Sequence, residues 1–545
     1  MGMRNSLDFA GTWRLTRLAG RRDRFTLAAW CVGIGLFVAA TTAMFADSFA
    51  RQEDLVRETR LVATNTGMRL LGLTSGPTVG GYMLHREFVT LAVLAALMST
   101  FAVIRHTRQN EELGRAEVLG SAVVGRDASL AAAVVTGLVA NVVLALVLAG
   151  AIALAGPPLG GALVAGAAVA EVGVVFTGVA AVTCQLASTT RAASGLAGGA
   201  LALAFLGSGL GNMLGTVDQG RLTVRSQWPA WLSPIGWGQQ MRPFGGDHVW
   251  PLLLSLGLFA ALVLVAFLLV GHRDTGRGLW PERRARATAR PALLRAGGLA
   301  WRLQRPALLG WAVGLLGFGL VLGSVSKQIS TVGGDTAKWY TRTGGTDVVV
   351  DAFLTSVIAM GGMFVALYVV QVLLRAHVDE AGGTAESLLA TALSRSRWLL
   401  GHLAGALVGA TLLLLVFGVS MGFAAGTVLG GVGDHVARMA LAGLVQLPAV
   451  MVVGGLVAVL AATLPRWVTP ASWVLVVAFL VLGPMFGPGL GLPSWALDVS
   501  PFTHVPKVPA TAVTFTPLLV LATLGVLLAG AGLLAMRRRD LRLPA

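Results

Sequence analysis

The chain has 545 residues, 55% of them apolar and only 12% charged, with a formal net charge of +16. A soluble domain carries charge on about a quarter of its residues, so an ordinary soluble enzyme is excluded. Long uncharged runs, able to cross roughly 30 Å of hydrocarbon as helices, replace the short alternating segments that a membrane β-barrel requires.

An amphipathic segment comes first, in which Leu7, Trp13, Leu15 and Leu18 interleave with Arg14, Arg17, Arg21 and Arg22. That pattern predicts an elbow helix lying in the headgroup plane, the alternative being a basic flank to the first span. Spans follow over Phe25–Phe45, Phe88–Ile104, Leu130–Leu154, Ala162–Ala187, Gly195–Met213 and Trp250–Val270. No small-residue cleavage pattern follows the first run, which therefore reads as a true span and not as a signal peptide. Nine Arg lie between Gly271 and Arg305, predicting a basic, partly mobile linker. Within it, Leu293, Leu294, Leu299 and Trp301 interleave with Arg295, Arg302 and Arg305 as a second elbow. Six more spans are predicted over Ala307–Val325, Ala352–Leu374, Leu399–Ala425, Ala440–Leu464, Ala471–Met485 and Leu518–Met536. The expected fold is all-α and polytopic, with about twelve helices in two six-helix repeats. Its expected divisions are a first six-span half at 1–271, a basic linker and second elbow at 272–305, and a second six-span half at 306–545.

The repeat is visible in short motifs that recur in the same order, the later two pairs about 268 residues apart and the first pair 288 apart. Trp13-Arg14-Leu15 is answered by Trp301-Arg302-Leu303, Glu111-Glu112-Leu113-Gly114 by Asp379-Glu380-Ala381-Gly382, and Leu232-Ser233-Pro234 by Val499-Ser500-Pro501. Duplicated helical membrane units of this size build a pathway between their halves, which points to transport. With the loops assigned alternately, 28 of the 41 Lys and Arg fall on the side of the N-terminus. Positive-inside orientation then puts both termini in the cytoplasm of a plasma (inner) membrane, and the charge sets topology instead of binding nucleic acid. Cys31 and Cys184 lie inside spans, so neither a disulfide framework nor a metal site is expected. None of the three Lys (Lys327, Lys338, Lys507) sits in a P-loop, so this chain is not itself a P-loop ATPase.

Candidate site residues fall into three groups. The connections Arg105–Arg126 and Arg375–Arg397 are charged in both halves, and aligning their ends sets Glu117 opposite Glu386 and Arg126 opposite Arg395. Each is a docking helix for a soluble partner or a simple solvated loop. Glu171 is embedded in the fourth span, and the same distance back from Arg466 as Glu171 from Arg191 lands on Gln446. Such intramembrane polar groups are candidates for the substrate pathway or for interhelical hydrogen bonds. Asn212 belongs with them, and Met98, Phe101, Phe205, Met213, Met360, Met363, Phe364, Phe479 and Met485 are apolar pathway candidates, since Met surfaces suit varied apolar ligands. Finally, Trp228–Phe244 is either an aromatic belt or a gate with a re-entrant turn; Ser233, Pro234 and Trp237, with Ser500 and Pro501 in the second half, are its outer-gate candidates.

The stretches RHTRQNEELGRAEVLGSAVVGR and LSPIGWGQQMRPFGGDHVWPLLL resemble the fused permease subunits of ABC type-2 exporters. The likeness is strongest to the actinobacterial permeases that export polyketide and ionophore antibiotics of the tetronasin type, and it extends loosely over nearly the whole chain. It implies a multidrug exporter that works with a separately encoded ATPase, in two copies, which holds the ATP and Mg. It implies that the two connections are coupling helices: Glu111, Glu112, Gly114, Arg115, Glu117 and Arg126 in the first half, Asp379, Glu380, Glu386 and Arg395 in the second. It also implies that the second, fifth, eighth and eleventh spans line the route of an amphiphilic small molecule. Two departures stand out: Gly207 to Asn212 is uncharged where similar proteins carry Arg and Asp, and the second connection lacks the Gly-Arg pair. The rival reading is an ion-coupled secondary multidrug transporter, for which Glu171 is the sole obvious coupling acid.

Overall fold

The computed structural model describes residues 6–49, 51–64, 66–70, 72–274, 276–280, 288, 296–326, 349–381, 383–391, 393–483 and 493–539. They divide into two compact units, Met1–Arg284 and Ala285–Ala545.

The first unit opens with α1 (Thr12–Ser48), which absorbs the amphipathic stretch as its own first turns. No Pro stands between Arg14 and Phe25, so the helical bonding runs from the basic flank straight into the apolar span. Next come α2 (Gln52–Thr64) and α3 (Thr66–Arg69), then α4 (Val79–His106), whose N-cap Thr78 accepts from the Gly81 amide at 3.1 Å. Two short helices, α5 (Arg108–Glu112) and α6 (Arg115–Gly120), form a hairpin leading to α7 (Ala128–Leu154). The chain returns through α8 (Leu159–Leu186) and α9 (Thr190–Met213). A small antiparallel ribbon, β1 (Thr216–Asp218) and β2 (Thr223–Arg225), pairs Val217 with Val224 and precedes α10 (Pro234–Gln240) and α11 (Leu252–Val270).

The second unit holds α12 (Ala296–Ser324), α13 (Val349–Ala381), α14 (Thr384–Leu389), α15 (Arg395–Leu429), α16 (Val432–Val445) and α17 (Leu447–Thr463). It closes with α18 (Val468–Leu482), α19 (Ser494–Leu497) and α20 (Phe515–Arg538). Its predicted fourth span is broken at Gln446, between α16 and α17. Pro448 follows two residues later, and a proline both lacks an amide donor and crowds the carbonyl four residues back.

Among the described residues, eleven helices are long and apolar enough to cross a membrane. The chain is therefore an all-α polytopic membrane protein. The span predicted over Ala471–Met485 is α18, of 15 residues, about 22 Å at helical rise and short of a full bilayer core. It stops because Gly483 takes an extended conformation (ψ 178) ahead of Pro484. Met485 lies outside the described residues.

Small residues set how closely the helices approach. Lipid tails are as apolar as leucine, so membrane helices associate through close van der Waals packing. In the antiparallel α7–α8 pair, Gly137 faces Thr177, Gly173 faces Asn141 and Gly166 faces the Ala145 backbone. The α15–α16 pair repeats the device, with Gly418, Gly422 and Gly426 against Met439, His435 and Val432. A Cβ placed on Gly166 would meet the Ala145 carbonyl oxygen at 2.3 Å, whereas one on Gly150 meets nothing within 4 Å. Gly166→Val should therefore destabilise the protein by about 1–3 kcal/mol through overpacking, and Gly150→Ala should not. Thermal unfolding of the detergent-purified variants checks this; equal melting temperatures would contradict the packing argument.

Candidate functional site

The first hairpin is fastened to its own unit by its acids. Glu111 turns back under the helices and meets Arg108 Nη1 at 2.6 Å, Arg273 Nη2 at 2.6 Å and Arg273 Nη1 at 3.0 Å. Arg108 is 0% exposed and also donates from Nε to the Cys184 carbonyl at 3.1 Å. Charges tolerate such burial when they are paired and hydrogen-bonded. Glu112 caps α9, accepting from the Thr190 amide at 2.8 Å and from its hydroxyl. Arg126, at the far end of the hairpin, donates to the carbonyls of Val270, Gly271 and Arg273 at 2.9, 3.3 and 3.3 Å.

What the hairpin presents outward is different. Leu113, Val118 and Val123 are 54%, 73% and 90% exposed, beside exposed Gly114, Arg115 and Glu117. Gly114 joins α5 to α6 with φ 68, a left-handed turn that glycine adopts without a Cβ clash. The linker expected to be mobile from Gly271 is held at its start. Gly276 donates its amide to Glu111 at 3.2 Å, and Leu279 and Trp280 donate theirs to the Gln185 and Leu186 carbonyls at 3.0 Å each.

The second hairpin follows the same plan with other residues. Asp379 pairs with Arg375 at 3.1 Å, and Glu380 with Arg539 at 2.5 Å. Arg539 also donates to the Ala461 carbonyl at 2.8 Å, and Arg395 donates to the Arg539 carbonyl. Glu386 is exposed on α14. In the register that aligns Glu117 with Glu386, Gly383 stands where Gly114 does and makes the same turn at φ 75. Gly382 lies outside the described residues. The second hairpin thus keeps the glycine of the Gly-Arg pair and replaces its arginine with Thr384.

On the other side of the first unit, the Trp228–Phe244 segment enters the bundle. Phe244 packs between Gly80 and Gly161, while Gly238 packs against Ala168 and Glu171. The seven helical steps from Gly161 to Ala168 correspond to about 10 Å of helix, so α10 is a re-entrant element. Irregular backbone at that depth must be shielded by protein, and Ile235, Gly236, Gly238, Gln239 and Gln240 are all buried. Gln239 Oε1 accepts from Ser208 Oγ at 2.9 Å and from Asn212 Nδ2 at 2.7 Å. Ser226 Oγ donates to Asn212 Oδ1 at 2.6 Å. Neutral amides and hydroxyls thus fill the segment that departs from the charged pattern, and Asn212 ties α9 to α10.

The Ser-Pro motifs share one contact in both units. Ser233 Oγ donates to the Ala204 carbonyl on α9 at 2.5 Å and accepts from the Gly236 amide, with Pro234 opening α10. Ser500 Oγ donates to the Phe479 carbonyl on α18 at 3.3 Å, with Pro501 opening a short turn. Trp237 is half-buried and donates from Nε1 to the Trp231 carbonyl at 2.7 Å.

Glu171 is 2% exposed at the midpoint of α8, with Gly238 of α10 against its carboxyl group. Neither oxygen has a hydrogen-bond partner among the described residues, a costly state at this depth. Gln446, at the break of the fourth span, packs against Gly362. Met98, Met363 and Phe479 are buried; Phe205, Met213, Met360 and Phe364 are half-buried, Phe364 edge-on to Phe318 at 5.6 Å; Phe101 is exposed. A cavity of about 360 Å³ in the second unit is lined instead by residues such as Leu403, Leu407, Ala410, Met451, Gly455 and Val526. None of the predicted pathway residues lines it. Its small and aliphatic side chains carry no signal that a sequence reading could single out.

The family described as "Multidrug efflux system permease Rv1217c, C-terminal domain" matches residues 15–273 and 293–537. The chain is a member of this permease family. The multidrug efflux system permease protein Rv1217c of Mycobacterium tuberculosis (strain ATCC 25618 / H37Rv) is 37% identical over 546 residues, covering 98% of this chain and 96% of that protein. The matched residues take in both hairpins, Glu171 and both Ser-Pro motifs, so all of these belong to the permease portion.

The two serines offer a graded test of the repeated contact. Ser233→Ala loses a short bond to a carbonyl and a helix cap, about 1–2 kcal/mol. Ser500→Ala loses a longer bond and caps no amide, so its effect should be smaller. Unfolding temperatures of the two purified variants should fall in that order, and the reverse order would show that the motifs are not equivalent.

Proposed function

We propose that this permease is the membrane-spanning subunit of an ATP-driven ABC type-2 exporter for amphiphilic, largely apolar compounds. A separately encoded ATPase, in two copies and carrying ATP and Mg, seats on the hairpins α5–α6 and the end of α13 with α14. In this reading the chain sits in the plasma membrane with the hairpins and both termini in the cytoplasm. The single observation behind it is the outward face of the first hairpin. Glu111 and Glu112 are committed to internal pairs, while Leu113, Val118 and Val123 stand in the open. Apolar side chains exposed beside Arg115 and Glu117 suit a protein partner, with charge setting register and burial supplying affinity. The hairpins contribute unequally, since the second presents Glu386, Ser387 and Ala390 outward along α14. Rv1217c, by its name a multidrug efflux system permease, supports drug-like cargo, and an apolar cavity of about 360 Å³ falls in the range of small-molecule sites. Access to the two sides alternates only if cargo binds the two conformations differently.

One observation favours a second reading. Glu171 is an unpartnered acid within a span, as an ion-coupled carrier requires. The two readings separate in reconstituted vesicles. With the partner ATPase present, Leu113→Asp combined with Val118→Asp should weaken association at least a hundredfold, because two apolar burials of about 1.5–3 kcal/mol each are lost. Co-purification and ATP-dependent efflux should both collapse, whereas Glu171→Gln should leave ATP hydrolysis intact. Efflux driven by a proton gradient without nucleotide, abolished by Glu171→Gln, would establish the carrier instead.

A further inference from the structure

The two units repeat one arrangement of charges. In the first, Glu111 binds Arg273, three residues past α11, and Arg126 donates to the carbonyls of Val270, Gly271 and Arg273. In the second, Glu380 binds Arg539, the residue after α20, and Arg395 donates to the Arg539 carbonyl. Glu111 to Glu380 and Arg126 to Arg395 are the same step along the chain. The step from Arg273 to Arg539 is three residues shorter, yet the contacts are the same, so it is the geometry that recurs and not merely the spacing. Each cluster also holds the end of the fourth span: Arg108 donates to the Cys184 carbonyl, and Arg539 to the Ala461 carbonyl.

We propose that Glu111–Arg273–Arg126 and Glu380–Arg539–Arg395 are paired latches that make each hairpin and the exit of its unit's last span move as one body. This rests on the exporter reading, in which a partner displaces the hairpins. A hairpin held only by its covalent ends would carry α4 and α7, or α13 and α15, and nothing else. Latched, it also carries α11 or α20 and the end of α8 or α17. The carboxylates, Arg273 and Arg539 are largely withdrawn from solvent, where charge-assisted bonds are weakly screened and directional. The latches differ in redundancy. Glu111 keeps Arg108 when Arg273 is removed, whereas Glu380 pairs with Arg539 alone among the described residues.

The test uses the full permease with its partner ATPase in vesicles, with Cys31 and Cys184 replaced by Ser. A reporter cysteine replaces Val270 or Met536, both buried at the ends of their spans. Arg539→Ala should raise maleimide labelling at the Met536 position several-fold and lower efflux about tenfold. Arg273→Ala should do the same more weakly at the Val270 position. Either the charge swap Glu380→Arg with Arg539→Glu, or an oxidised Glu380→Cys/Arg539→Cys pair without the reporter, should recover at least half the efflux. Unchanged labelling, raised labelling with full efflux, or recovery in neither rescue variant would overturn the latch. Labelling is also measured without the ATPase. If efflux proves independent of nucleotide, the exporter reading fails, while the labelling change still reports whether the clusters hold the last spans.

Discussion

Hydrocarbon offers a peptide amide or carbonyl no partner except another part of the protein. Every other feature of this permease answers to that constraint. It makes the spans helical, and it makes their association depend on how closely two backbones can approach. Gly137, Gly166 and Gly173 between α7 and α8, and Gly418, Gly422 and Gly426 between α15 and α16, provide that approach. It also decides where irregular chain is allowed. The re-entrant α10 exists because Gly236 and Gly238 let its backbone lie flat against Ala230 and Ala168, inside a shell of protein.

The same constraint concentrates polar chemistry at the ends of helices, where carbonyls run out of intrahelical donors. Arg108, Arg126, Arg395 and Arg539 each donate to such carbonyls. Of these four, Arg108 is paired with Glu111 and Arg539 with Glu380. A conspicuous acidic motif therefore serves first to tie the helix ends together. What it leaves exposed is an apolar crest of Leu113, Val118 and Val123. Ser233 and Ser500 donate to helix carbonyls without charge, Ser233 to Ala204 within α9 and Ser500 to Phe479 in the last turn of α18.

The halves differ in the polar residues they carry within the spans. Glu171 and Gln446, matched by their distance from Arg191 and Arg466, are set differently: the first lies against Gly238, while the second packs on Gly362 at a proline-broken helix. The uncharged stretch from Gly207 to Asn212 bonds to Gln239 through Ser208 and Asn212. An amide network joins α9 and α10 there without burying a charge pair, whose desolvation can exceed its attraction.

By itself, the sequence determined the membrane class and the helical spans, because hydrophobic length and charge gaps act locally and survive without any tertiary context. Span boundaries followed less well: continuity of α1 through its basic flank and the early stop of α18 at Gly483 depend on backbone geometry at single residues. The Glu111 region was conspicuous by its charges, but the direction its acids face was not legible. Whether a glutamate faces a partner or turns inward depends on an arginine such as Arg273, far along the chain, whose position only the folded helices set. Gly238 beside Glu171, and the apolar cavity around Met451 and Gly455, were likewise silent in the sequence. Small and aliphatic residues have no chemistry of their own to announce, and acquire a role only when packing brings them against a neighbour.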